Sequence, residues 1–64
     1  MDMSNYKMIY KDQVFNVIAV IPTVEGKADA GFLKITFIEA TAINENGELF
    51  IIFDEAFMFK FVRR

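Results

Sequence analysis

Residues 32–53, with the sequence FLKITFIEATAINENGELFIIF, decide the fold of this chain. Apolar residues, many of them β-branched or aromatic, dominate both flanks of the polar segment Asn44–Gly47. The dipeptide Asn46-Gly47 between two such runs favours a tight β-hairpin, because both residue types tolerate a positive φ angle. The stretch therefore predicts two antiparallel strands, Phe32–Ile43 and Glu48–Phe53.

The alternation slips by one residue within the first of these two strands. Apolar residues occupy odd-numbered positions up to Phe37 and even-numbered positions from Ile38 onward. A slip of one residue moves every later side chain to the opposite face of a sheet. A β-bulge or a sharp bend near Ile38–Glu39 would reconcile the two halves, and we expect one of them there.

Outside this hairpin, three more stretches alternate as strands do. In chain order the sequence predicts a strand over Tyr6–Tyr10, a polar turn at Lys11–Gln13, a strand over Val14–Ile21 that Pro22 ends, a loop over Pro22–Gly31, a turn at Asp54–Ala56 and a closing strand over Phe57–Val62. Five strands in 64 residues predict one mostly β domain, residues 1–64, with residues 1–5 frayed. The expected architecture is a small, strongly bent antiparallel sheet or a five-stranded barrel of the SH3-like or OB-like kind.

Composition indicates a domain with more apolar side chains than its core can hold. The chain is 55% hydrophobic and 16% aromatic. A domain of this size buries only about 60% of the surface of its unfolded chain. Self-association or a partner surface is the natural outlet for the excess, so we expect a homo-oligomer or a protein partner.

The residue types present exclude most catalytic chemistry. The chain has no cysteine and no histidine, and its single serine is Ser4, so neither a nucleophile–histidine pair nor a Cys/His zinc site can form. Asp54-Glu55 is the only adjacent acidic pair, and neighbouring residues of a strand or turn point apart. No spacing matches a calcium loop or a phosphate-binding loop. We therefore expect no enzyme activity, no catalytic or metal-binding residues and no cofactor.

Two features predict a cytoplasmic protein without membrane contact. The first ten residues alternate polar and apolar types and form no secretory signal, and the longest apolar stretch, Val14–Pro22, is too short to cross a bilayer. The absence of cysteine is typical of the reducing cytoplasm. The bias towards Phe, Ile, Asn and Lys suggests an AT-rich bacterial or phage genome.

Charge is distributed unevenly. The formal net charge is −2 and the pI is about 4.9, which disfavours a general nucleic-acid binder. Between Lys34 and Lys60 the chain contains five acidic residues and no basic one. An acidic rim beside a hairpin is the ordinary interpretation of this run, and an acidic docking surface is the alternative.

The C-terminal segment mixes aromatic and basic residues. Phe57, Phe59 and Phe61 alternate and are expected to form the core face of the last strand. The side chains left outside that core face are candidates for an interface: Tyr6, Tyr10, Met58, Lys60, Val62, Arg63 and Arg64. If the three phenylalanines were exposed instead, they could stack nucleotide bases while the cations met phosphates.

These observations predict a function without naming it. The leading expectation is a small non-catalytic protein-interaction module that self-associates or docks on a larger partner, such as a phage or prophage accessory or inhibitor protein. A single-stranded nucleic-acid binder that uses the C-terminal strand is one alternative. A structural subunit of a larger assembly is the other.

Overall fold

The computed structural model describes residues 5–27 and 31–64. Most of them lie in strands, and the elements in chain order are β1 (Tyr6–Tyr10), β2 (Gln13–Lys27), β3 (Phe32–Asn44), β4 (Leu49–Glu55), a 3₁₀ turn (Ala56–Met58) and β5 (Phe59–Arg63). The expectation of a mostly β protein is confirmed. The prediction of a frayed N-terminus falls largely on residues 1–4, outside the described residues, whereas the Asn5 carbonyl accepts a hydrogen bond from the Arg64 backbone N–H at 2.9 Å.

The five strands form one antiparallel sheet in the order β4-β3-β2-β1-β5. Its two edge strands are β4 and β5, and no ladder within the described residues joins them. The sheet is therefore not closed into a barrel by hydrogen bonds. The antiparallel sheet that the sequence predicts is confirmed, and the SH3-like or OB-like barrel is not.

The sheet nevertheless curls strongly, because its two edges are joined by a very short connection. In a flat sheet four strand spacings would separate β4 from β5 by about 19 Å. Glu55 and Phe59, which the 3₁₀ turn connects, can lie at most about 14 Å apart. Contacts across the sheet show the curl: the Phe15 ring on β2 meets the Phe50 ring on β4 edge-on at 5.6 Å, although β3 lies between these strands.

The inner face of the curl holds the hydrophobic core. Its buried side chains come from β1, β2, β3 and β5, and they are Met8, Phe15, Val17, Val20, Ile38, Ala40, Ala42 and Phe59. Small alanines on the interior strand β3 leave room on the inner face of the curl for the larger side chains of β1 and β5. The inner face is thus the core face, and the outer face carries none of the buried side chains that the structure describes.

The predicted end of the second strand at Pro22 is wrong. β2 continues to Lys27, and Pro22 pairs with Ile38 on β3, so most of the expected loop is strand. Within the described residues β1 pairs with β2 only over Gln13–Asn16, which leaves the far side of β2 unpaired at Pro22. Strands tolerate proline where one side needs no hydrogen-bond donor. Residues 28–30 of the predicted loop lie outside the described residues.

The expected bulge on β3 is present, two residues earlier than predicted. Phe37 pairs with Thr23 and Ile35 pairs with Val24, so Thr36 has no partner of its own on β2. The extra residue returns Ile35 to the face that carries Ile38, which is the effect the slipped alternation requires. A second irregularity, between Val17 and Ala19 of β2, has no counterpart among the sequence predictions.

The hairpin between β3 and β4 forms, but with a different turn from the one that two positive φ angles would give. Gly47 has a φ of 81°, whereas Asn46 is not in the left-handed region. The Gly47 N–H donates to the Asn44 carbonyl at 3.1 Å, and the Asn44 N–H donates to the Glu48 carbonyl at 3.0 Å. These bonds define a type I turn followed by a left-handed glycine, the usual three-residue hairpin loop.

The last strand begins later than its phenylalanine alternation predicts. Phe59 is buried and Phe61 is half-buried against the core, but Phe57 lies in the 3₁₀ turn with 77% of its side chain exposed. Asp54 and Glu55, expected in a turn, complete β4. The prediction that Phe57 belongs to the core face is therefore wrong, because the chain must first cross from one edge of the sheet to the other.

Candidate docking surface on strand β4

Four large apolar side chains are exposed on the outer face of the sheet, three of them on β4 and one on β2, with Glu39 of β3 between the two strands. Pairing partners share a face, and Glu39 of β3 pairs with Ile21 on one side and with Phe53 on the other. Ile51 and Leu49 lie two and four residues before Phe53 on β4, so their side chains are on the same face as Phe53. We call Ile21, Leu49, Ile51 and Phe53 the outer patch, and their side chains are 62% to 67% exposed.

Phe37 holds the outer patch at one end. Its half-buried ring lies parallel to the Phe53 ring, with the centroids 5.4 Å apart and 8° between the planes. Ring stacking of this kind orients Phe53 although most of its surface is free. The outer patch is therefore a preformed surface on a sheet.

The outer patch is large for so small a domain. A fully exposed large side chain presents about 150–250 Å², so four that are about two-thirds exposed present on the order of 450 Å². The largest apolar patches on monomeric proteins are of roughly this size, about 300–600 Å², and are often functional. On a 64-residue chain the outer patch is a binding-surface candidate.

β4 also presents unpaired backbone groups at the edge of the sheet. Asn44 and Glu48 form a hydrogen-bonded position of the hairpin, and such positions alternate along an antiparallel ladder. Leu49, Ile51 and Phe53 therefore direct their N–H and C=O groups away from β3. No described residue pairs with this edge.

A groove runs along the inner side of the same edge. It has a volume of about 400 Å³ and lies between β4 and the turn that joins β1 to β2. Its walls are mostly apolar on the β4 side and mixed on the other, and the lining residues are Tyr10, Lys11, Gln13, Phe15, Phe50, Ile51, Ile52 and Phe53. The edge of β4 thus separates two apolar surfaces, the outer patch and this inner groove.

A hydrogen bond between Tyr10 and Asp54 ties the end of β4 to the end of β1. The Tyr10 hydroxyl donates to Asp54 Oδ2 at 2.6 Å, and the Tyr10 ring stacks on Phe59 at 4.9 Å. This hydrogen bond, followed by one from the Glu55 backbone N–H, holds the pKa of the Asp54 carboxyl below its usual value. The same bond raises the pKa of Tyr10, because ionisation of the phenol would remove the donated proton.

Acidic groups flank β4 at both ends. Glu48 precedes the strand and accepts a hydrogen bond from the Asn44 side-chain amide at 3.0 Å, and Asp54 and Glu55 end the strand. Among the residues that line the groove, the basic one is Lys11, on the wall opposite β4. Its ammonium group lies 5.4 Å from the centre of the Tyr10 ring. The edge of β4 therefore has a negative potential at both ends and an apolar middle.

The interface candidates that the sequence predicts lie mostly on β1 and β5, away from the β4 edge, and Tyr10 is the exception. Tyr6, Tyr10 and Met58 are half-buried and pack against the core. The remaining four candidates are exposed on β5 or just after it: Lys60, Val62, Arg63 and Arg64. The β1–β5 ladder places Tyr6 beside Arg63, and the Arg64 guanidinium donates to Asn16 Oδ1 at 2.6 Å. The structure brings Tyr10 to the groove beside β4, where Ile51 and Phe53 of the outer patch are also lining residues, and it places the four exposed candidates on or just after the strand at the opposite edge.

Sequence reasoning missed the outer patch, although a signal for it exists. The segment Leu49–Phe53 is apolar at five consecutive positions, so β4 has apolar side chains on both faces. A strand of that composition belongs in the middle of a sheet that is covered on both sides. Finding it at an exposed edge is what identifies the surface.

A further exposed apolar strip lies on the end of the β2–β3 hairpin. Residues Val24–Lys27 pair only with Phe32–Ile35, so this two-stranded arm projects beyond the five-stranded region. Val24, Leu33 and Ile35 share the face of the arm that continues the core, and each is at least half exposed. The arm and the outer patch lie on opposite faces of the sheet.

Within residues 5–27 and 31–64 no three acidic side chains lie close enough to hold a metal ion. The same described ranges contain no helix with the length and apolar character to span a membrane. Comparisons with protein-family models, with curated proteins and with solved structures found no match for this chain.

Proposed function

We propose that this protein is a non-catalytic protein-interaction module and that it docks through the outer patch. The observation that carries the proposal is the exposure of Leu49, Ile51 and Phe53 on an edge strand. Covering an apolar surface of about 450 Å² would contribute on the order of 10 kcal/mol before the costs of association. This is a substantial driving force for a chain of this size.

The curled sheet supports a role as a scaffold for such a surface. Apart from the β1–β5 pair, neighbours in the sheet are consecutive in the chain, an arrangement closer to an SH3-like than to a Greek-key OB-like barrel. We include this barrel relationship in the proposal as architecture only, since fold does not fix function. The cytoplasm, a phage or prophage origin and a role as an accessory or inhibitor protein remain parts of the same proposal.

The nucleic-acid alternative depends on aromatic side chains that β5 could offer to bases. Phe59 is 8% exposed and stacks on Tyr10, so its ring faces are taken up within the core. Phe61 is half-buried beside it, with ring centroids 6.2 Å apart. These contacts favour the protein-interaction proposal over base stacking.

Site-specific photo-crosslinking in the cells that produce the protein tests the proposal. A benzophenone amino acid is placed at Ile51 in the outer patch, and at Lys60 on β5 as the comparison position. We expect a covalent adduct with a protein from position 51 and little from position 60, and the mass of the adduct identifies a second copy or a different protein. Adducts from position 60 alone would refute docking through the outer patch.

A further inference from the structure

We propose that β4 binds an extended segment of a partner protein as a sixth strand, and that this segment is apolar in the middle and carries Lys or Arg at its ends. The inference rests on the proposed function and specifies its partner. It follows from three properties of β4: an open backbone edge, apolar surfaces on both faces, and acidic groups at both ends.

Over Leu49–Phe53 the edge of β4 lacks the devices that usually prevent strand addition. Its sequence, LFIIFDE, contains no proline, lysine or arginine, and its pairing with β3 is continuous from Leu49 to Glu55, without a bulge. The opposite edge, β5, carries Lys60 and Arg63, the type of residue that discourages edge pairing. Of the two edge strands, β4 is therefore the one open to strand addition.

A strand added to β4 would find apolar contacts for alternate side chains. Residues opposite Leu49, Ile51 and Phe53 would lie beside the outer patch, because directly opposite residues share a face. Residues opposite the inner-facing positions would point into the groove beside Phe50 and Ile52. Main-chain bonds would supply affinity and these two surfaces specificity, as in other cases of strand addition.

The acidic residues at both ends of β4 determine which charges a partner segment should carry at its ends. Glu48 lies at one end of β4, Asp54 and Glu55 at the other, and β4 itself has no basic residue. Opposite charges in directly opposed positions stabilise a strand pair, and like charges destabilise it. A partner segment with cations at both ends matches this edge.

The same charges disfavour a second copy of β4 as the occupant. Two copies paired antiparallel about a two-fold axis at Ile51 would place Leu49 opposite Phe53, which suits the apolar side chains. That register also places Asp54 of each copy opposite Glu48 of the other. The resulting repulsion acts twice in every dimer, because the two-fold axis repeats each contact.

A synthetic peptide tests strand addition directly. The peptide Lys-Lys-Val-Thr-Val-Ile-Val-Lys, with blocked ends and a fluorophore, places cations opposite both acidic ends of β4 when it adds antiparallel. Fluorescence anisotropy with the full-length protein measures its affinity. We expect saturable binding that weakens with salt, and at least a tenfold loss when all three lysines are replaced by glutamate.

Backbone methylation separates strand pairing from mere apolar contact. N-methyl groups on the third, fifth and seventh residues block the peptide N–H groups that would face β4, and binding should be lost. N-methyl groups on the fourth and sixth residues block N–H groups that face solvent, and affinity should stay within about threefold. Equal losses for the two patterns, or none for either, would overturn the sixth-strand inference.

A matched pair of protein variants tests the other side of the contact. Ile51→Pro removes an outward N–H without removing a bond to β3, whereas Ile51→Thr keeps that N–H and shortens the apolar side chain. We expect Ile51→Pro to bind the peptide at least tenfold more weakly than Ile51→Thr, with melting temperatures recorded for both. If Ile51→Pro does not fold, the methylated peptides still decide the question.

The outcomes separate this inference from the proposed function. Crosslinks from position 51 together with insensitivity to methylation would keep docking through the outer patch and reject strand addition. Sedimentation that shows a dimer of the protein which the peptide dissociates would make a second copy the occupant and reject the basic partner. No binding of the lysine peptide, with the crosslink still present, would also reject the stated partner chemistry.

Discussion

Separate replacement of Phe59 and Phe57 by alanine tests whether Phe59 belongs to the core and Phe57 to the surface, as the structure shows. Both are phenylalanines of the same segment, and their alternation predicts the same core face for both. In the structure Phe59 is 8% exposed and Phe57 is 77% exposed. With about 200 Å² per phenylalanine side chain and about 25 cal/mol per Å², burial contributes roughly 4–5 kcal/mol at Phe59 and roughly 1 kcal/mol at Phe57.

Phe59→Ala should therefore lower the free energy of unfolding by about 3–5 kcal/mol, and Phe57→Ala by about 1 kcal/mol or less. Urea denaturation followed by far-ultraviolet circular dichroism measures both. A domain of this length has a total stability of roughly 3–10 kcal/mol, so Phe59→Ala is expected to be largely unfolded. Phe59→Leu, which keeps most of the apolar volume, should lose about 1.5 kcal/mol and keeps the comparison measurable against Phe57→Leu. Equal losses in the two positions would refute the placement of the last strand.

Three further predictions follow from the backbone and from one hydrogen bond. Lys11 and Asp12 form the two-residue turn between β1 and β2, with φ angles of 48° and 65°. Asparagine and glycine adopt such positive φ angles more readily, so the double change Lys11→Asn/Asp12→Gly should stabilise the protein by about 1 kcal/mol and raise its melting temperature. A lower melting temperature would contradict the turn type. Gly26→Ala should destabilise the arm, because the φ of Gly26 is 134° and an added Cβ would lie 2.7 Å from the Phe32 carbonyl oxygen on β3. Amide hydrogen exchange measures the stability of the arm, and unchanged protection of its amides would contradict this prediction. Because the pKa of Asp54 is lowered by its bond from Tyr10, that bond stabilises the fold above the unfolded-state pKa near 4 and is lost as pH falls through the folded-state value. The raised pKa of Tyr10 gives the mirror case, with stability present below about pH 10 and lost above it. Tyr10→Phe should flatten the dependence of melting temperature on pH in both ranges, and a variant that keeps the wild-type profile would show that other groups cause it.

Local patterns in the sequence were sufficient for the strands and for most turns. Period-two alternation in β1 and β3, and the run of β-branched and aromatic residues in β4, are local properties, so these strands begin and end within a few residues of their predicted bounds. Gly47 in the loop after Asn44 adopts the positive φ that the hairpin needs. The slipped alternation in β3 predicted a bulge or a sharp bend, and the structure has a bulge, whose extra residue restores the face.

Other local patterns misled because their outcome depends on distant strands. A proline has no backbone N–H, so it would end a strand that is hydrogen-bonded to a neighbour on each side. Within the described residues, β2 beyond Asn16 pairs with β3 on one side only, and Pro22 is therefore tolerated within the strand. Phe57 alternates with Phe59, but the connection between opposite edges of the sheet uses the residues around it. The residues next to Pro22 and Phe57 in the sequence do not indicate which strands pair there or where the sheet edges lie.

The sequence by itself determined a small mostly β domain without cysteine or histidine chemistry and with more apolar side chains than its core can enclose. Composition and alternation are local properties, and they limit secondary structure and possible chemistry before any contact forms. Only the tertiary structure decided where the excess lies. The apolar run Leu49–Phe53 would suit a covered central strand equally well, and it becomes an exposed surface because the strand order puts β4 at an edge. Strand order is fixed by the sum of long-range pairings, so the surface proposed for docking could be found only after those pairings were known.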